Sequence, residues 1–218
     1  MPRSPLSGLG VLRDRPLRRL TLLFAGLVAF GLSNAMLLLA GLGVGPWDVL
    51  HQGLSRSFGL GVGTWSILVS GVVLLAWIPL RQRPGLGTLA NAVVVGLVID
   101  AVLAVAHPPT GWPARVGMLV GGVLLNALAT GAYIGAGLGP GPRDGLTTGL
   151  AARGRSIRVV RTAVELVVLA LGWLLGGTVG IGTVLYATAI GPLTHLTIPR
   201  LRLGARDRTA EPGATTGR

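Results

Sequence analysis

Six long, almost unbroken apolar runs alternate along the chain with short polar segments that carry arginine; they cover about residues 20–42, 61–80, 86–106, 116–138, 159–177 and 179–199. A hydrocarbon core of ~30 Å needs ~20 apolar residues as a helix, so each run predicts a transmembrane helix. A lipid-facing barrel strand alternates apolar with polar positions, and these runs do not. Composition agrees, with 50% hydrophobic and 12% charged residues and a mean hydropathy of +0.69.

One stretch between runs occurs twice. GLGVGPWDVLHQGL at residues 41–54 and GLGPGPRDGLTTGL at residues 137–150 align at a spacing of 96, matching Pro46 with Pro142 and Asp48 with Asp144. The match extends to both sides: residues 25–40 align with 121–136, and after a slip of one residue Gly85-Leu86-Gly87-Thr88 answers Gly180-Ile181-Gly182-Thr183. A duplication is the simplest reading. Basic residues before the first run resemble the start of a cleavable signal peptide. Cleavage would remove the first helix of one repeat, so the run is expected to stay.

Charge changes the picture by fixing orientation. The 19 basic residues are all arginine, and only Arg56 and Arg115 fall in the loops that would lie outside. The rest gather in the two tails and in the alternate loops, which predicts cytoplasmic termini in a bacterial plasma membrane. The layout is a basic tail at 1–19, a three-span repeat at 20–106, an external loop at 107–115, a second three-span repeat at 116–199 and a disordered polar tail at 200–218. Because three is odd, the second repeat enters with opposite polarity. The expected fold class is therefore an all-α polytopic membrane protein of 3+3 inverted repeats, a recurrent plan of secondary transporters. The net charge of +12 also fits nucleic acid. Arginines spread over alternate loops fit topology and anionic lipid headgroups better, and no nucleic-acid partner is expected.

Each Pro-x-Asp element has a physical reading. Gly45 and Gly141 suit a turn, Pro46 and Pro142 the first helical position, and Asp48 and Asp144 the first turn, at the positive end of the dipole. The helices that follow are too short to span, so half-helices are expected after spans 1 and 4. They either line a cavity at membrane depth or start surface helices, and the inverted plan expects them on opposite faces. A carboxylate at such an end repels anions and favours a cation or proton. Arg143 beside one aspartate stands where the other copy has Trp47.

Taken with GTWSILV, IPLRQRPGLGT, SIRVVRTAVE and GGTVGIGT, these elements resemble the YczE/YyaS/YitT-type family of bacterial integral membrane proteins, nearest its YczE-like branch, over about residues 19–201. The resemblance implies a polytopic protein of the cytoplasmic membrane and brings no substrate.

Other polar groups within runs carry two readings each, since a charge at the bilayer centre costs ~2.5–3.5 kcal/mol. Asp100 and its counterpart His195 are proton-relay candidates, or a snorkelling acid and a helix-end histidine. Arg161 and Glu165, one turn apart, neutralise each other or touch a solute. Asn34, Asn91 and Asn126 read as interhelical hydrogen-bonding groups, and Trp65, Trp77, Trp112 and Trp173 as interfacial anchors. The two Gly-x-Gly-Thr segments read as tight connections, since a phosphate loop also needs a lysine.

No cysteine, metal cluster or catalytic triad spacing is present in the sequence, so neither an enzyme nor a cofactor is expected. The expected function is a transporter or permease for a small, cationic or proton-coupled solute. Its site candidates are Asp48, Asp144, Pro46, Pro142, Trp47, Arg143, Glu165, Arg161 and Asp100. The alternative is a scaffold or accessory protein that binds another membrane protein. Topology is checked with alkaline phosphatase, which is active only outside the cytoplasm: a fusion at the C-terminus stays silent, and an insertion within residues 176–180 is active.

Overall fold

The computed structural model of the chain describes residues 15–203. Most of the basic head and the polar tail after Leu203, including its expected disorder, lie outside the described residues. Among the described residues all regular structure is helical: α1 (Pro16–Ala40), α2 (Pro46–Phe58), α3 (Val62–Trp77), α4 (Leu86–Val105), α5 (Trp112–Gly135), α6 (Pro142–Ala151), α7 (Ile157–Leu174) and α8 (Ile181–Leu201).

Each apolar run forms a helix, but not every helix is a span by length and composition. Four qualify, α1, α4, α5 and α8, and a fifth only if α2 and α3, bent by 113° at their junction, count as one. This is fewer than the six expected, for two reasons. Helix α3 has only 16 residues, and α7 carries Arg158, Arg161 and Glu165 within its 18.

The helices sort into two groups. The four long ones pack together, with α1 crossing α5, α4 lying on α1 and α8 on α5. The four short ones make the second group, in which α2 packs on α7 and α3, and α6 on α3 and α7. Small residues permit the closest crossings. A Cβ at Gly26 of α1 would meet Tyr133 and Ala132 of α5, and one at Gly122 of α5 would meet Leu37 of α1. Leu23, Leu27, Val95 and Ile99 fill the interior, while Leu89, Val93 and Leu97 on the opposite face of α4 are exposed, as a lipid-facing stripe is.

Helices α1 and α5 both stop at a broken segment. Gly41 and Gly43, like Gly137 and Gly139, have positive φ, from 63° to 124°, which glycine alone adopts without strain. A chain that unwinds in an apolar medium must have its carbonyls met by protein donors, and here they are met crosswise. Arg19 of α1 donates to Ala136 O at 2.9 Å, and Arg115 of α5 donates to Ala40 O at 2.8 Å. Gly87 N–H donates to Leu138 O and Gly182 N–H to Leu42 O, both at 2.8 Å. The Gly-x-Gly-Thr segments are the expected tight connections: Thr88 Oγ1 accepts from Gly85 N–H and donates to Pro140 O, and Thr183 Oγ1 accepts from Gly180 N–H.

One tryptophan departs from its expected place. Trp77 is only 2% exposed, and its Nε1–H donates to Pro142 O at 3.1 Å. It locks α3 to the start of α6 rather than anchoring the protein at an interface. Trp112 and Trp173 are 58% and 65% exposed, as interfacial residues are.

Gly145 lies beneath the Trp77 ring, whose Cε2 would stand 2.6 Å from an added Cβ. Gly145→Val is expected to cost roughly 1–3 kcal/mol through overpacking. Gly71→Ala, at a helical position with nothing within 4 Å, is expected to gain about 0.5–1 kcal/mol. Thermal denaturation of the purified protein in micelles reads both.

Candidate functional site

The two Pro-x-Asp elements begin helices as their residues dictate. Pro46 and Pro142 stand in the first turns of α2 and α6 behind extended glycines, with Asp48 and Asp144 in those same turns. The far end of α2 is held at the end of α7, where Arg56 donates to Gly176 O and Ser57 to Leu175 O. The far end of α6 is held at the end of α3, where Arg153 donates to Pro79 O. With those ends apart, the two N-termini converge.

They meet at one cavity of about 370 Å³ between the two helix groups. Pro46, Trp47 and Asp48 line it from α2, and Pro142, Arg143 and Asp144 from α6. Arg161 and Glu165 of α7 complete the candidates found there. The expectation that the motifs sit on opposite faces is corrected by contact: Arg143 Nη2 lies 3.8 Å from Asp48 Oδ1, and its guanidinium stands 5.2 Å from the Trp47 ring centre. A half-helix starting at each broken segment points its N-terminus inward, so the two motifs meet at a common centre.

Burial makes the polar groups here costly and therefore specific. Asp48 is 2% exposed, and its Oδ1 has no hydrogen-bond donor. His51, one turn on and 1% exposed, holds Nδ1 at 3.5 Å from that oxygen, and neither ring nitrogen makes a hydrogen bond. Asp144 accepts from Tyr133 Oη–H at 3.3 Å. Glu165 Oε1 accepts from Arg161 Nε at 2.9 Å, the expected neutralising pair, here at the cavity wall.

Asp100 is not at the cavity. Its carboxylate accepts from Gly63 N–H, Thr64 N–H and Thr64 Oγ1–H, each at 2.7 Å. It caps the first turn of α3 from a neighbouring helix, meeting two of the backbone N–H groups that a helix start leaves open and the Thr64 hydroxyl beside them. That hydrogen bonding accounts for an acid in an apolar run, and the proton-relay reading gives way to it.

Tyr133 and Tyr186 also line the cavity, and His51 stands against Asp48 without lining it; none of the three was singled out from the sequence. The tyrosines are the only two in the chain, and both sit inside apolar runs, a signal that was available. Tyr186 donates to Asn126 Oδ1 at 3.2 Å, and Asn126 Nδ2–H donates to Ser33 and to Asn34 Oδ1 at 2.9 and 2.8 Å. Asn34 and Asn126 thus join α1, α5 and α8 as expected, whereas Asn91 lines the cavity.

Comparison with known proteins gives a family and several relatives. Residues 17–199 match the family of unknown function DUF6198. An uncharacterized protein of Haemophilus influenzae is 42% identical over 179 residues, covering 82% of each chain. The uncharacterized membrane protein YczE of Bacillus subtilis is 36% identical over 189 residues, covering 84% of this chain and 86% of its own. The uncharacterized protein YyaS of the same organism is 33% identical over 181 residues, covering 80% and 89%. No solved structure matches. The similarity to YczE and YyaS agrees with the motif resemblance, and with matches over most of its length the chain belongs to the family of unknown function DUF6198.

Proposed function

We propose that the protein is a transporter or permease of a small cationic solute, built of six membrane crossings as two inverted repeats, with both termini in the bacterial cytoplasm. One observation carries the reading: two half-helix N-termini, one from each repeat, converge on a cavity between two helix groups that three carboxylates and two guanidiniums line. Discontinuous helices that meet at a central site are the usual means by which secondary transporters hold a solute. The reciprocal bonds Arg19–Ala136 and Arg115–Ala40 support the inverted plan, because both partners are related by the sequence spacing of 96. The alternative, a scaffold for another membrane protein, expects a dry and closed repeat interface and is disfavoured by the cavity.

The charge tally supports a cation. Three carboxylates, Asp48, Asp144 and Glu165, face two guanidiniums, Arg143 and Arg161. Arg143 stands in ion-pair range of Asp48, and Arg161 bonds Glu165, so Asp144 has a hydroxyl donor and feels both guanidiniums, with neither within 4 Å of it. Both tyrosines, Trp47 and Phe30 also line the space, and aromatic faces attract ammonium groups.

A thermal-shift series of the purified protein with small primary and quaternary ammonium ions, beside neutral and carboxylate isosteres, tests the reading. A bound ammonium ion stabilises the folded state by about 2.7 kcal/mol at a concentration 100 times its Kd. The shift is expected with the ammonium series alone. Asp144→Asn, which removes a charged hydrogen-bonding group worth ~1.5–3 kcal/mol, is expected to weaken it by about tenfold or more. A shift only with carboxylates, or an ammonium shift unchanged in Asp144→Asn, refutes the assignment.

A further inference from the structure

The two seams that join the helix groups are not in the same state. Helix α3 packs along α4, while the corresponding pair α7 and α8 scarcely touch. The difference is sharpest at equivalent glycines. A Cβ at Gly96 of α4 would strike Gly63 O and come within 2.5 Å of Ile67 Cγ1, so the helices are in backbone contact there. Gly191, the equivalent position on α8, has nothing within 4 Å of an added Cβ and lines the cavity. Arg161, Val164 and Glu165 of α7 and Ile190, Gly191 and Thr194 of α8 line the cavity on the two sides of this gap, where the Arg161 side chain is 58% exposed.

A latch accompanies the closed seam. Asp100 holds α3 to α4 through three hydrogen bonds to Gly63 and Thr64. At the equivalent place on α8 stands His195, which is exposed and makes no hydrogen bond to α7 among the described residues. One seam is thus fastened by a carboxylate and the other is not.

We infer that the protein is a carrier with two alternating gates, α3–α4 and α7–α8, seen here with the first shut and the second open. This rests on the transporter reading and adds how the site is reached. The long-helix group and the short-helix group rock about the cavity: closing α7 onto α8 brings Gly191 into the kind of contact that Gly96 now makes, and releases α3 from Gly96 and Asp100. With cytoplasmic termini the open gate faces inward, because it is lined by the first half of α7 and the second half of α8. Gly191 is left without a side chain so that a helix can approach it in the other state.

The chain has no cysteine, so paired spin labels can be introduced without background at Leu166 and Leu196, which are exposed on α7 and α8. A second pair at Val72 and Leu97, exposed on α3 and α4, reads the other gate. Gly96→Leu wedges the shut seam. The expected result is coupled motion: the α3–α4 distance grows, and the α7–α8 pair shortens toward the ~8–10 Å axial separation of packed helices. Gly191→Leu, made in open space, is expected to leave both distances unchanged when alone and not to lower the thermal stability. Added to Gly96→Leu, it blocks the shortening. Asp100→Asn, a milder release of the latch, gives the same direction of change if the wedge prevents folding. Folded protein in which the first seam loosens while the α7–α8 distance stays fixed overturns the inference. No solute enters this measurement, so gates that fail to move beside a positive ammonium shift refute the carrier alone, and coupled gates without any shift refute the ligand class alone.

Discussion

A helix that breaks among apolar side chains frees carbonyls that must find protein donors, and this constraint governs the arrangement of the chain. After Ala40 and again after Ala136 the backbone unwinds, and each freed carbonyl named above finds its donor in the other half of the sequence. Arginine suits the task because a cation at a helix C-terminus also meets the negative end of the dipole. Its guanidinium reaches the carbonyl while its stem lies among apolar side chains. Satisfying the breaks requires α1 and α5 to cross closely, and that crossing sets the positions of α4 and α8.

The breaks in turn create the site. Because α2 and α6 start afresh after them, their N-terminal turns, with Asp48 and Asp144, face inward instead of ending at a surface. A buried acid needs partners: Arg143 of α6 comes within ion-pair range of Asp48, beside His51 of the same helix, and Tyr133 of α5 donates to Asp144. Trp77 then secures the start of α6 from below, so the position of Arg143 depends on a ring far from it in sequence.

The helices, the two broken segments and the short helices after them were legible in apolar runs, glycine and proline. So were eight of the nine candidate site residues, because Pro-x-Asp and an Arg161–Glu165 pair at helical spacing carry their chemistry locally. Three things were not. The convergence of Trp47 and Arg143 depends on where two helices end in space, which spacing along the chain does not encode. Trp77 and Asp100 looked like span-end residues, since only a tertiary neighbour, Gly145 for one and Gly63 for the other, reveals their work. The weaker claim of α3 and α7 to be spans comes from the shortness of one and the charges of the other, which a run of apolar letters conceals.

The crosswise pairing has a consequence for how the chain is made. A ribosome delivers α1 and its broken segment to the membrane well before α5 or α8 exists. Until then, Ala40 O has no Arg115 and Leu42 O no Gly182. The first half therefore lacks the donors of its final packing while synthesis continues. Completion of the second half supplies the missing donors for the first and receives its own from it. Two similar halves that look like independent modules are thus one obligate unit of folding.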